Sequence, residues 1–184
     1  MELEASEKLF KEFAVTSEDA VQDDNHFLYF YKFDRKFVHF QFSPEKGIVA
    51  ETRQLKDAYS RNILRTDGFK VIQTPLSNRI FLIGGDDHPH GTFEFDLKNN
   101  CFFPEDEMPR LFVSLTYGRS HHSLAATSGL IFCTGGKAQF LDYQNNNPND
   151  EILPRIIEVL KLKDNMWVQY TNRLMVARYA HSSC

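Results

Sequence analysis

A short apolar run that ends in two glycines occurs twice in this chain, and this repetition constrains the fold more than any other feature. The first copy reads Ile-Phe-Leu-Ile-Gly84-Gly85 and the second reads Ile-Phe-Cys-Thr-Gly135-Gly136, an offset of 51 residues. Self-similarity at a fixed spacing of this size is typical of chains built from repeated supersecondary units. The chain is therefore expected to consist of similar units in series.

The texture of the sequence indicates that these units are β-rich. From His26 onward, short runs rich in Phe, Tyr, Val and Ile alternate with Gly, Pro, Asn and Asp, as expected for many short strands. An alternating strand is predicted after each glycine pair, at 92–97 and at 156–162. Within 1–25, apolar residues at helical spacing predict a short helix followed by an acidic linker.

Two aromatic residues occupy matching positions in the repeat. Phe102 and Trp167 each lie seven residues after an apolar strand residue. Large rings bury much area, so both are predicted to fill the gap between adjacent sheets, with a role in stacking on a ligand as the alternative. The stretch 118–123, Gly-Arg-Ser-His-His-Ser, also has a counterpart in 177–182, Ala-Arg-Tyr-Ala-His-Ser.

The glycine pairs have a physical role in such a unit. Glycine adopts positive φ and has no Cβ, so Gly84, Gly85, Gly135 and Gly136 are predicted to end second strands and to let the next sheet approach closely. A flexible hinge at these glycines is the alternative.

Together these residues resemble the kelch repeat, in which an Arg-x-x-His strand is followed by a strand ending in Gly-Gly, an aromatic-Asp strand and a strand opened by Trp. The match covers 68–184, with an eroded copy around Phe42 that lacks the double glycine. Phe102 replaces the Trp of the first good copy, and Leu160-Lys161 replaces the usual Tyr-Asp of the second. The resemblance implies an all-β fold, a partial kelch-type β-propeller of antiparallel four-stranded blades.

The resemblance also implies a division of the chain. The expected parts are an N-terminal helix and linker at 1–25, a degenerate three-stranded blade at 26–56, blades at 68–105 and 118–170, and the first strand of a further blade at 177–184. The predicted strands make up only three blades, whereas closed propellers usually have about 4 to 8. We therefore expect a fragment of a longer propeller. An open stack of sheets, or closure by a second copy, remains an alternative. Self-association through the open edges is also expected.

Charge and composition exclude several classes of partner. The net charge of −4 and the lack of any Lys/Arg cluster argue against nucleic acid. No apolar run approaches the ~18 residues of a membrane span, and the N-terminus does not read as a secretory signal. Three cysteines without a CxxC pair suggest a reducing, cytoplasmic environment.

Catalytic signatures are missing from the sequence. It contains no GxSxG, HExxH or GxxxxGK[ST] motif, and we expect no cofactor and no metal, with a metal site at His88-Pro89-His90 as the alternative. The expected function is therefore a kelch-type protein-interaction scaffold, not an enzyme. An oxidase-like enzyme of the kelch type and a purely structural set of blades are the alternatives.

Candidate contact residues come from the resemblance and from one long connection. The segment after Gly136 is 14 residues longer than its counterpart and carries an Asn/Pro-rich run that belongs on the surface. In kelch proteins this face commonly binds partners, which implies four contact residues. They are Arg110, Arg119, Asn145 and Arg173. Each is also open to interpretation as a solvated or loop-bracing side chain.

Overall fold

The structure is a computed structural model of the 184-residue chain. It describes residues 26–31, 34–43, 45–56, 63–75, 77, 79–102, 114–138, 155–176 and 178. The helix predicted within 1–25 lies outside these residues, as does most of the strand predicted at 177–184.

The described residues are built from short strands. The strands are β1 (His26–Phe30), β2 (Lys36–Ser43), β3 (Gly47–Gln54), β4 (Lys70–Gln73), β5 (Ile80–Ile83), β6 (Thr92–Phe95), β7 (Arg119–Ser120), β8 (Ser123–Ala126), β9 (Leu130–Thr134), β10 (Lys137–Ala138), β11 (Ile156–Lys161) and β12 (Met166–Arg173). No helix in this part of the chain has the length and apolar character needed to cross a membrane.

The strands form successive antiparallel sheets. The first sheet has the order β1-β2-β3, the second β4-β5-β6, and the third β12-β11-β9-β8, while β7 and β10 form a separate two-stranded ladder. The second sheet was expected to have four strands. It has three, followed by a single bridge between Asp96 and Cys101. Residues 103–105, needed for a longer fourth strand, lie outside the described part.

The hairpins of the three sheets close in related ways. Gly47, Asn100 and Asn165 have positive φ angles of 71°, 54° and 54° at the three turns. Glycine and asparagine tolerate this left-handed conformation better than other residues do. The eroded first copy therefore keeps the turn conformation of the better copies.

The strand register of the first sheet nevertheless differs by one residue. Leu160 pairs with Trp167 across the third-sheet hairpin, which fits the seven-residue spacing read from the sequence. Phe42, the matching residue of the first sheet, pairs with Ile48 and not with Val49. The turn between β2 and β3 is shorter than the turn between β11 and β12, which accounts for the one-residue difference in register.

The core consists of two apolar layers separated by the second sheet. Ile80 and Leu82 of β5 belong to the layer shared with the first sheet, whereas Phe81 and Ile83 belong to the layer shared with the third. All four side chains are buried because successive residues of a strand point to opposite faces. A continuous apolar run thus reflects a sheet that is covered on both sides.

The two aromatic residues lie where the repeat predicted. Phe102 is buried in the layer between the first and second sheets, with its ring centroid 5.0 Å from that of Phe95. Trp167 is buried between the second and third sheets, and its Nε1 donates a hydrogen bond to Thr92 Oγ1 over 2.9 Å. The prediction that both fill gaps between sheets is confirmed.

The glycine pairs also end strands as predicted. Gly84 and Gly85 follow β5, Gly135 and Gly136 follow β9, and all four have positive φ. A Cβ at Gly84 would lie 2.7 Å from the ring carbon Cε1 of His122, which shows how closely the next repeat approaches. The glycines are buried and packed, which does not fit a flexible hinge.

Candidate functional site

Arg119 is the most unusual side chain in the described structure, because its guanidinium is completely buried. Nε donates to the carbonyl oxygen of Tyr117, and Nη1 donates to those of Gly135 and Ile156, each over 3.1 Å. Nη2 donates to Glu158 Oε2 over 2.5 Å. The cation therefore exchanges water for one carboxylate and three carbonyl groups, as a buried charge requires.

Glu158 is equally buried and completes the network. It lies on β11, where its Oε1 accepts a hydrogen bond from the Thr116 amide over 2.7 Å. The Tyr117 amide lies 3.3 Å from Oε2. A wholly buried carboxylate needs both an opposite charge and further donors, and Arg119 and these two amides supply them.

The network joins the ends of two connecting segments. Gly135 and Ile156 flank the segment 139–154, and Thr116 and Tyr117 follow the segment 103–113; both segments lie outside the described residues. One ion pair therefore fixes the points at which both segments meet the sheets. Pairing of β7 with β10 adds a short ladder at the same place.

A third connection begins at the same end of the third sheet. The Leu174 amide donates to the Arg155 carbonyl oxygen, and Arg155 Nε donates back to the Leu174 carbonyl oxygen, both over 2.8 Å. The Gly136 amide donates to the carbonyl oxygen of Arg178 over 2.7 Å. We call this end of the third sheet the loop-base surface, defined by the exposed residues Thr116, Arg155, Arg173 and Arg178.

The four predicted contact residues have different positions. Arg173 is exposed at the end of β12, opposite Ile156, and so belongs to the loop-base surface. Arg110 and Asn145 lie outside the described residues. Arg119 requires a correction, because the structure places it in the interior and not on the surface. It braces the connections, since its donors match the carbonyl and carboxylate oxygens that converge there.

Sequence reasoning missed three residues of this region. Glu158 is a lone charge within the apolar strand Ile-Ile-Glu-Val-Leu, and such a residue signals a buried partner of opposite charge. Arg178 matches Arg119 in the aligned stretches 118–123 and 177–182, so its place in the repeat was visible. Arg155 carried no distinguishing signal.

Among the described ionisable groups near the site, the Cys133 thiol has a strongly shifted pKa. Burial raises the pKa of the Cys133 thiol to about 12. Arg119 lowers this pKa and Glu158 raises it, both to a smaller extent than burial does. That thiol stays protonated and is a poor nucleophile at neutral pH. No group of three or more His, Cys, Asp or Glu residues within the described part is arranged to hold a metal ion.

His88 and His90, the candidate metal ligands, contact neighbouring residues. The ring of His90 lies with Nδ1 2.7 Å from the carbonyl oxygen of Leu115, and the ring of His88 packs edge-on against Phe93 with centroids 5.9 Å apart.

Comparison with protein-family models found no match for this chain, and comparison with curated proteins found no relative.

Proposed function

We propose that this chain is part of a kelch-type β-propeller and acts as a protein-binding scaffold through its loop-base surface. The observation that carries the proposal is the buried Arg119–Glu158 pair, which fixes the ends of two connecting segments on one end of a sheet. Binding segments on rigid scaffolds are commonly held in this way.

The propeller part of the proposal rests on how the sheets follow one another. The second sheet is buried on both faces, with its neighbours in the chain on either side, as expected for blades in series. A glycine pair with positive φ stands at the end of a second strand in two of the sheets. These features agree with the resemblance to the kelch repeat.

The binding part of the proposal rests on the chemistry of the exposed residues. Arg173 and Arg178 are exposed, and neither guanidinium has a hydrogen bond or ion pair to another described residue. Arginine is enriched at protein interfaces because it combines several donors with a planar surface that packs well. Such residues beside rigid loop ends suit the recognition of another protein.

Site-specific photo-crosslinking in cells tests this function. A photoreactive amino acid replaces Arg173 on the loop-base surface, and in a matched control it replaces Lys163, which is exposed in the turn at the other end of the same hairpin. The two positions are separated by the length of β12, roughly 25 Å. We expect a discrete crosslinked protein from position 173 and none from position 163.

Two results would contradict the proposal. Equal crosslinking from both positions would indicate nonspecific contact, and the absence of any adduct at position 173 would favour a purely structural role. The captured protein must also bind the purified chain, and lose affinity when Arg173→Glu reverses the charge on the surface.

A further inference from the structure

β1 has the position of an interior strand but lies at the edge of its sheet. The β2–β3 hairpin of the first sheet corresponds to the β11–β12 hairpin of the third, so β1 corresponds to β9, and likewise to β5 of the second sheet. β5 lies between β4 and β6, and β9 lies between β8 and β11. Among the described residues, β1 pairs only with β2.

The composition of β1 is also that of an interior strand. It reads His-Phe-Leu-Tyr-Phe, without a Lys, Arg, Asp, Glu or Pro. Exposed edges in soluble proteins usually carry such residues because unpaired amide and carbonyl groups recruit other strands. Leu28 and Phe30 are buried against the second sheet, whereas Phe27 and Tyr29 on the other face are 57% and 52% exposed. Among the described residues, this edge of β1 therefore combines apolar side chains with backbone groups that no strand pairs.

We propose that β1 pairs with β1 of a second copy of the chain, antiparallel, across a two-fold axis at Leu28. This register places Phe27 opposite the second copy's Tyr29, and Leu28 opposite its equivalent. Cross-strand aromatic pairs stabilise antiparallel sheets, and no like charges meet across this pairing. A two-fold axis is the arrangement that lets one edge satisfy itself.

The pairing also extends the exposed aromatic face. The Phe27 and Phe40 rings lie on that face with centroids 5.7 Å apart, and the Tyr29 ring contacts that of Tyr31 over 5.3 Å. In the dimer the sheet order becomes β3-β2-β1-β1-β2-β3. Aromatic side chains that one copy leaves at the edge would then pack against those of the other.

The oligomeric state of the full chain tests the proposal. Size exclusion with light scattering, over loading concentrations of roughly 1 to 100 µM, should show the mass rise from 21.4 kDa toward twice that value. The double variant Phe27→Lys/Tyr29→Lys places lysines opposite lysines and should remain monomeric throughout. A wild-type chain that stays monomeric at every concentration would overturn the proposal.

Mixing two charged variants tests the antiparallel register itself. Phe27→Glu/Tyr29→Glu alone should be monomeric, whereas its equal mixture with the lysine variant should form a heterodimer. Circular dichroism and thermal unfolding of each variant verify folding. If a double variant does not fold, a mixture of Phe27→Lys with Tyr29→Glu still places opposite charges across the proposed register. Absence of heterodimers between folded variants would contradict the register.

Ile48→Lys is the matched control for the edge. Ile48 is 65% exposed on the same apolar face, but it lies on β3, away from β1. We expect this variant to dimerise like the wild type. Dispersal of the dimer by Ile48→Lys but not by lysines at 27 and 29 would assign the contact to the face of the sheet, and would overturn the strand pairing.

Discussion

The amide of Gly85 donates a hydrogen bond to the carbonyl oxygen of Arg119 over 3.1 Å, which ties the end of one repeat to the beginning of the next. The same bond recurs between Gly136 and Arg178 over 2.7 Å. In both cases the donor is the second glycine of a pair, and the acceptor is the arginine that opens the following repeat. In both copies this backbone bond therefore joins the glycine pair to the start of the following repeat.

Gly84→Ala tests whether the glycines are needed for close packing as well as for backbone conformation. Gly84 has a φ of 66°, and a Cβ there would lie 2.7 Å from His122 Cε1. We expect a loss of about 2–4 kcal/mol in the free energy of unfolding, from left-handed strain plus overpacking. Urea denaturation followed by circular dichroism measures it.

Gly47→Ala is the control for the strain alone. Gly47 has a φ of 71°, but nothing lies within 4 Å of its hypothetical Cβ. This substitution should cost only about 1–2 kcal/mol. Equal losses at the two positions would show that close packing against the Arg119 carbonyl oxygen and the His122 ring contributes nothing.

Glu158→Gln tests the buried ion pair. The amide keeps the shape of the side chain but leaves the Arg119 guanidinium in the interior without its counter-charge. Breaking one side of a buried pair costs about 3–5 kcal/mol, so a large fall in the urea midpoint is expected.

The Arg79–Glu94 pair provides a matched control on the second sheet. It is bidentate, with distances of 2.7 and 2.9 Å, but both side chains are about 30% exposed. Glu94→Gln should cost less than about 1 kcal/mol because solvent screens the pair. A loss at Glu158 no larger than that at Glu94 would contradict the structural importance of the buried pair.

The local parts of the fold were predictable from sequence, whereas the pairing of distant charges was not. Short patterns predict the structural positions of Gly84, Gly135 and Trp167. A glycine pair after an apolar run, and a large ring at a fixed spacing, each have few other structural roles. Arg119 and Glu158 are 39 residues apart, and no periodicity states which charged residue points inward. Arg119 was a candidate contact residue with loop bracing as the alternative, and its buried hydrogen bonds match the alternative.

The register of the first sheet shows a second limit of sequence reasoning. The spacing from Phe42 to Val49 matches that from Leu160 to Trp167, yet the shorter turn before Gly47 shifts the pairing by one residue. Turn length sets hairpin register, and apolar spacing alone does not reveal it. The edge position of β1 among the described strands was likewise visible only after the strand order was known.

The hydrogen bond between Trp167 and Thr92 can be isolated with a double-mutant cycle. Trp167→Phe removes the donor and leaves the Thr92 hydroxyl without that partner in a buried site. We expect Trp167→Phe and Thr92→Val to be coupled by about 0.5–1.5 kcal/mol, the net value of such a bond. Unfolding free energies that simply add would indicate that the ring acts through packing alone, as Phe102 does at the matching position.

Cys133 gives a prediction at alkaline pH. Burial raises the pKa of its thiol from 9.0 to about 12, so the thiol ionises in the unfolded chain before it does so in the folded one. Between these values the unfolded state binds fewer protons, and stability falls as pH rises, by about 1.4 kcal/mol per pH unit from this group.

Lysines and tyrosines titrate in the same window, so the pH dependence of the wild-type stability must be compared with that of Cys133→Ala. This variant lacks the thiol but retains those groups, so its free energy of unfolding should fall less steeply between pH 9 and 11 than that of the wild type. Urea denaturation at pH 7, 9, 10 and 11 measures both curves. Parallel curves would mean that the Cys133 thiol ionises equally readily in the folded and unfolded chains, which its complete burial between the second and third sheets argues against.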